Sequence, residues 1–126
     1  MIQRFVDEIE KVIDTHPTVL SSILQKQFGP DNKSLYLKSS ITFTDLSVLE
    51  LSLFAIESRN KVVADKYRYH YMDQRGRLLF RYDNAPHHRE LTSFPAHKHL
   101  PDKAIPAPVP SLQDVLNEIS AIILSR

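Results

Sequence analysis

Apolar residues recur at helical spacing at both ends of the chain and alternate with polar ones in between. Ile2, Phe5, Val6, Ile9, Val12 and Ile13 share one side of a helix, with Asp7, Glu8 and Lys11 opposite. This predicts an amphipathic helix that buries a single stripe. His16-Pro17 ends it, because proline disfavours α geometry in the residue before it. Residues 18–28 read two ways: Leu20, Leu24 and Phe28 could lie along a helix, but the β-branched residues and the following Gly29-Pro30-Asp31-Asn32 favour a strand running into a hairpin.

From there the period is two. Leu35, Leu37, Ile41 and Phe43 alternate with Tyr36, Lys38, Ser40 and Thr42, and Asp45-Leu46-Ser47 makes a tight connection. Leu49, Leu51, Leu53 and Ala55 then alternate with Glu50, Ser52 and Phe54, so both runs read as half-buried strands of one antiparallel sheet. Residues 58–64 read as a polar connection. Tyr67, Tyr69 and Tyr71 alternate with Arg68, His70 and Met72, and Asp73-Gln74-Arg75-Gly76 supplies the glycine a hairpin needs where φ is positive. The return strand runs from Arg77 to Asp83. Residues 84–110 hold six of the eight prolines and four of the six histidines and read as one long loop, of the kind that is usually functional or mobile. Ser111 caps a last helix with Leu112, Val115, Leu116, Ile119, Ile122 and Ile123 on its apolar face. The expectation is one α+β domain over residues 1–126: an antiparallel β-meander of four to five strands flanked by an N-terminal and a C-terminal α-helix.

If the hairpin at Gly76 is a type I turn with a glycine bulge, Tyr71 faces Leu78, Tyr69 faces Phe80 and Tyr67 faces Tyr82. These six make an aromatic, core-facing stripe. Arg68, His70, Arg77 and Arg81 then fall on the other face, since side chains alternate along a strand.

Composition narrows the chemistry that face could carry. The chain is 42% apolar and 25% charged, which suits a globular domain. It has no cysteine, which removes thiol nucleophiles, disulfides and thiolate metal sites. A net charge of +1 gives no bulk argument for nucleic acid, although cations outnumber acids between Lys61 and Arg89. No signal sequence or membrane span is legible, so a cytoplasmic protein is the expectation. With two glycines there is no phosphate-cradling glycine loop, and the carboxylates are too scattered for a two-metal nuclease. Metal-independent phosphodiester cleavage needs only a base, an acid and cations around the phosphate. His, Arg, Lys and Tyr supply those here. His97 and His99 form an H-x-H pair, and with His87 and His88 they could instead hold a metal ion.

The strings Tyr67-Arg68-Tyr69-His70-Tyr71, Gly76-Arg77-Leu78, Arg81-Tyr82-Asp83-Asn84-Ala85-Pro86-His87-His88, Phe94-Pro95 and His97-Lys98-His99 resemble the TumE family, regarded as the toxin half of prokaryotic toxin–antitoxin modules. Ala96 departs from the family pattern, where a further His is expected. The resemblance implies an antitoxin partner, expected to be a helix-turn-helix protein. A helix followed by an antiparallel meander is also similar to the compact toxin ribonucleases of the RelE and barnase type, an analogy at the level of fold.

The leading expectation is therefore a cofactor-free endoribonuclease acting on RNA. His70 and one of His88, His97 or His99 would be the acid and base, with Arg81 and Asp83 completing the catalytic set. Arg68, Arg81 and Lys98 would hold the phosphate, Asp83 would orient a His or Arg, His87 and Asn84 would help bind the substrate, and Asn84 would shape the turn. The alternatives are a non-catalytic protein-binding module and a metalloprotein built on His87, His88, His97 and His99. Exposed edge strands make a homodimer a further expectation.

Overall fold

The computed structural model describes residues 1–126. The order of elements is α1 (Ile2–Thr15), β1 (Val19–Phe28), β2 (Ser34–Phe43), β3 (Val48–Ser58), β4 (Lys61–Met72), β5 (Leu78–Asp83), β6 (His97–Leu100), β7 (Lys103–Pro106) and α2 (Leu112–Leu124). The strands form one antiparallel sheet in sequence order, so each pairs with its neighbours in the chain. The fold is the expected α+β meander between two helices, but with seven strands rather than four to five.

Three local features account for the difference. Residues 18–28 do form a strand, β1. The expected connection at 58–64 shrinks to a two-residue turn, because Arg59 and Asn60 both adopt left-handed backbone, φ 51 and 65. Such turns match the twist of the strands they join, so β4 begins at Lys61. The expected long loop folds back as the β6–β7 hairpin. Its strands are four residues each, one is His-Lys-His-Leu and the other ends at Pro106, so neither carries the apolar alternation by which a strand is recognised.

One hydrophobic cluster joins both helices to the sheet. Ile2, Val6, Ile9 and Ile13 of α1 and Leu112, Val115, Leu116 and Ile119 of α2 pack on Leu35, Leu37, Ile41, Phe43, Leu49, Leu51, Leu53, Tyr67, Tyr69, Tyr71 and Phe80. Helix α2 starts at a capping box in which Ser111 Oγ accepts from the Asp114 amide at 3.0 Å and Asp114 accepts from the Ser111 amide. The other face of the sheet carries no helix.

The β4–β5 register departs from the expected one. Gly76 does take positive φ (80°) at the hairpin tip, but a bulge between Tyr71 and Met72 leaves Leu79 unpaired. Tyr71 therefore lies opposite Phe80, Tyr69 opposite Tyr82 and Met72 opposite Leu78. Leu78 leaves the core face, and Leu79 packs against the core instead. A bulge adds one residue to one strand and so resets its alternation. A second irregularity, at Asp65, puts Val62 and Ala64 on the core side before Tyr67 takes over.

Candidate active site

Strand pairing assembles the polar face without any help from loops. Arg68 lies opposite Asp83, and Asp83 opposite His97; in the next row His70 lies opposite Arg81, and Arg81 opposite His99. Directly opposed residues of antiparallel strands point to the same side and sit within side-chain reach. Six of the candidate residues thus form a block, two rows by three strands, on the face away from the helices. The segment between β5 and β6 closes over one end of it. That segment is pinned by Ala85 N–H to Asp83 Oδ1 (3.0 Å) and Ala107 N–H to Ser93 Oγ (3.0 Å).

Asp83 is the hub. It is 5% exposed, with Oδ1 2.9 Å from His97 Nε2 and Oδ2 3.4 Å from His99 Nε2. Arg81 Nη1 stands 3.9 Å from Oδ2. His97 is fully buried, and its Nδ1 donates to the Pro95 carbonyl at 2.8 Å. His97 Nε2 and His99 Nε2 are 2.9 Å apart. The His88 ring packs edge-on to both, with centroids 5.2 and 5.3 Å away, and its Nδ1 lies 3.3 Å from Glu90 Oε1. Burial lowers the His99 pKa, helped by the neighbouring His97, Arg81 and His88 and opposed by Asp83.

His70 stands in the second row, where Arg81 Nε donates to its Nδ1 at 3.1 Å. That bond requires an unprotonated Nδ1. Burial, then the Arg81 and Arg68 charges, hold the His70 pKa below its ordinary value, against the pull of Glu50. His70 is therefore a neutral acceptor that aims Arg81.

The block opens onto a groove of about 980 Å3 whose walls include Arg68, Arg81, Lys66, His87, His99 and Phe94. A smaller hollow of about 260 Å3 shares Arg68 and Ser52 with it and continues across β2 toward β1. Tyr67 borders the groove from below; burial and the Asp83 charge push its hydroxyl up to about 12, and it has no hydrogen-bond partner.

Not every expected residue joins this block. Lys98 alternates with His97 and His99 and so points to the helix side. There its Nζ bonds Glu118 Oε2 at 2.6 Å and sits 5.0 and 4.9 Å over the Phe80 and Tyr82 rings. Arg77 stays at the hairpin tip, paired with Asp73 at 2.9 Å. Asn84 lines the groove, but its side chain is engaged: Oδ1 accepts from the Tyr67 amide (3.2 Å) and Nδ2 donates to the Asp65 carbonyl (3.0 Å). It ties the β4 bulge to the end of β5. His87 is exposed on the rim. Sequence reasoning missed Lys66, which plain alternation places on the Arg68 side, and Glu90, whose one visible signal is its place two residues after His88.

A family profile described as Toxin TumE matches residues 9–123. The chain belongs to the TumE toxin family. The match runs from the second half of α1 through all seven strands and nearly all of α2, so it takes in the whole block and most of its scaffold. Membership in the TumE family implies an antitoxin partner. No curated protein and no solved structure matches the chain. No helix of this TumE-family chain is long and apolar enough to cross a membrane.

Proposed function

We propose that this chain is the toxin of a two-protein module, that its antitoxin is a helix-turn-helix protein, and that it acts by cutting RNA in the groove on the helix-free face. The observation that carries the reading is the pairing of the Arg68–Asp83–His97 row with the His70–Arg81–His99 row beside an open groove. Guanidinium groups match phosphate oxygens, and Lys66 adds a third cation to the same wall. Phe94 and Tyr36, 38% and 42% exposed, border the groove and offer ring faces on which unpaired bases stack.

In this reading Arg68 and Arg81 hold the phosphate, and His70 keeps Arg81 aimed. The 2′-hydroxyl loses its proton on the His99–Asp83 side of the groove. Its oxygen forms the new bond to phosphorus, and the 5′-oxygen leaves with its electron pair and takes up a proton from water in the open groove. The two arginines carry the negative charge that builds on the phosphoryl oxygens, where fixed cations act most strongly. Asn84 shapes the groove floor, His87 meets the strand at the rim, and Lys98 takes no part.

Expression in a bacterial host, with sequencing of RNA 5′ and 3′ ends, tests this. Cleaved RNA is expected with the natural chain and intact RNA with Arg81→Ala and His99→Ala proteins that remain folded. Growth arrest without RNA cleavage, or full toxicity in both folded variants, would overturn it.

A further inference from the structure

The three imidazoles beside Asp83 are arranged as ligands. One ring nitrogen from each of His88, His97 and His99 lies within 4.8 Å of the other two. The tautomer of His97 is set by its surroundings. A carbonyl oxygen only accepts, so the 2.8 Å contact to Pro95 places the proton on Nδ1. In a neutral ring, Nε2 then presents its lone pair. That lone pair meets Asp83 Oδ1 at 2.9 Å and His99 Nε2 at 2.9 Å. With His99 in its Nδ1–H tautomer, three electron-rich atoms converge there, with the second Asp83 oxygen 3.4 Å from His99 Nε2. A single proton on His97 bridges one of these contacts; a cation at their centre satisfies all of them.

The outer contacts point the same way. Histidines that ligate a metal through one nitrogen donate the other N–H to a carbonyl or carboxylate, which fixes the ring and its tautomer. His97 donates to the Pro95 carbonyl, and His88 Nδ1 has Glu90 at 3.3 Å. His88 also sits in left-handed backbone, φ 58, a conformation uncommon outside glycine and held where the surroundings dictate it. For bonds of ~2.0–2.1 Å, ligand atoms at the tetrahedral angle are about 3.3 Å apart, a few tenths of an ångström more than the 2.9 Å between His97 Nε2 and each of its two neighbours.

We propose that His88, His97 and His99, with Asp83, form a binding site for one first-row divalent transition metal ion, zinc being the reference case. Imidazole with a single carboxylate suits such ions rather than magnesium or calcium. His99 is shared with the groove wall, so the site borders the surface proposed to meet RNA. The catalytic consequence rests on the proposed RNA cleavage: an ion held by these residues would supply a bound water of lowered pKa beside the groove, able to take up the 2′-hydroxyl proton. This replaces the expectation of metal-independent cleavage; metal binding itself does not depend on the RNA reading.

The test uses the full chain, purified without a histidine tag, stripped with a chelator and titrated with Zn2+ or Co2+. One equivalent of ion by elemental analysis, a Co2+ visible absorption band and a raised Tm are expected. Folded His88→Ala and His99→Ala proteins should lose stoichiometric uptake, and Glu90→Gln should bind ~10-fold more weakly. The two surface-accessible histidine positions are chosen because the buried His97 could compromise folding. RNA cleavage is assayed on the same loaded and stripped samples. No stoichiometric uptake by the folded natural chain, or uptake undiminished in both variants, would overturn the site. Uptake without RNA cleavage would overturn the proposed function and leave the site standing. Cleavage undiminished in stripped protein that takes up no metal would do the reverse.

Discussion

The two faces of strands β4 to β6 are made by the same few residues in alternation, yet they handle polarity in opposite ways. On the helix side, Tyr67, Tyr69, Tyr71 and Phe80 are buried, and apart from the unpartnered Tyr67 hydroxyl the polar groups are paired within the fold. Tyr71 donates to Ser47 Oγ at 2.7 Å, and Tyr82 donates to Glu118, which also holds Lys98. On the open side, Arg68, Arg81 and His99 keep donors or acceptors at the edge of the groove, while Asp83 and His97 are buried beneath them. Lys98, on the first face, is tied into the scaffold, whereas His97 and His99, one residue away on either side, join the block beside the groove. Residue type is a poor guide to role here; side of the sheet is a good one.

The largest effect should come from breaking the buried face. Tyr71 is fully buried and touches Phe43 and Phe80, with ring centroids 5.9 and 5.2 Å away. Tyr71→Ala is expected to lower unfolding stability by about 3–5 kcal/mol, as for other large aromatic deletions, read from urea unfolding. Arg81→Ala attacks the other face. Cleavage should fall by about 10²–10³-fold, with urea stability within about 1 kcal/mol of the natural chain. A large stability loss there would mean that Arg81 belongs to the scaffold.

A pH series sharpens the contrast. The His70 pKa is lowered in the folded protein, so the unfolded chain takes up that proton first as pH falls. Stability should decline as pH drops below about 6.5 and level off once the folded ring also protonates. Protonation would remove the acceptor for Arg81 Nε, so His70→Gln should flatten this part of the stability profile. Measurement of unfolding midpoints between pH 7.5 and 5 decides it. The smallest effect is reserved for Lys98→Met. Losing a partly buried ion pair, its side chains 16% and 31% exposed, should cost about 1 kcal/mol and leave cleavage within about 2-fold; a collapse of activity would return Lys98 to the site.

Much of this was legible before any coordinates. The stripe Ile2 to Ile13, the capping Ser111, the alternation from Leu35 to Ala55 and the tyrosine stripe all match the elements found. The β6–β7 hairpin was not legible, because its strands are short and their burial is unusual. His97 is buried against a carboxylate and a carbonyl rather than against apolar side chains, so no hydropathy signal marks it. Lys98 was placed with the phosphate ligands on charge alone, although the rule of alternation that grouped His97 with His99 also separates them from Lys98 once the segment is known to be a strand.

By itself the sequence determined which residues share a side within each uninterrupted run of a strand, since alternation follows from backbone geometry one residue at a time, but not the bulge that took Leu78 off the core face. It also determined that arginine, aspartate and histidine would be available together in the last half of the chain. Only the tertiary structure decided that Asp83 stands between Arg68 and His97. Neighbour relations across strands depend on registers, and registers depend on bulges and on hydrogen bonds between residues distant in the chain. The bulge beside Tyr71 and the return of residues 97–106 to the sheet set those registers, and the site is their product.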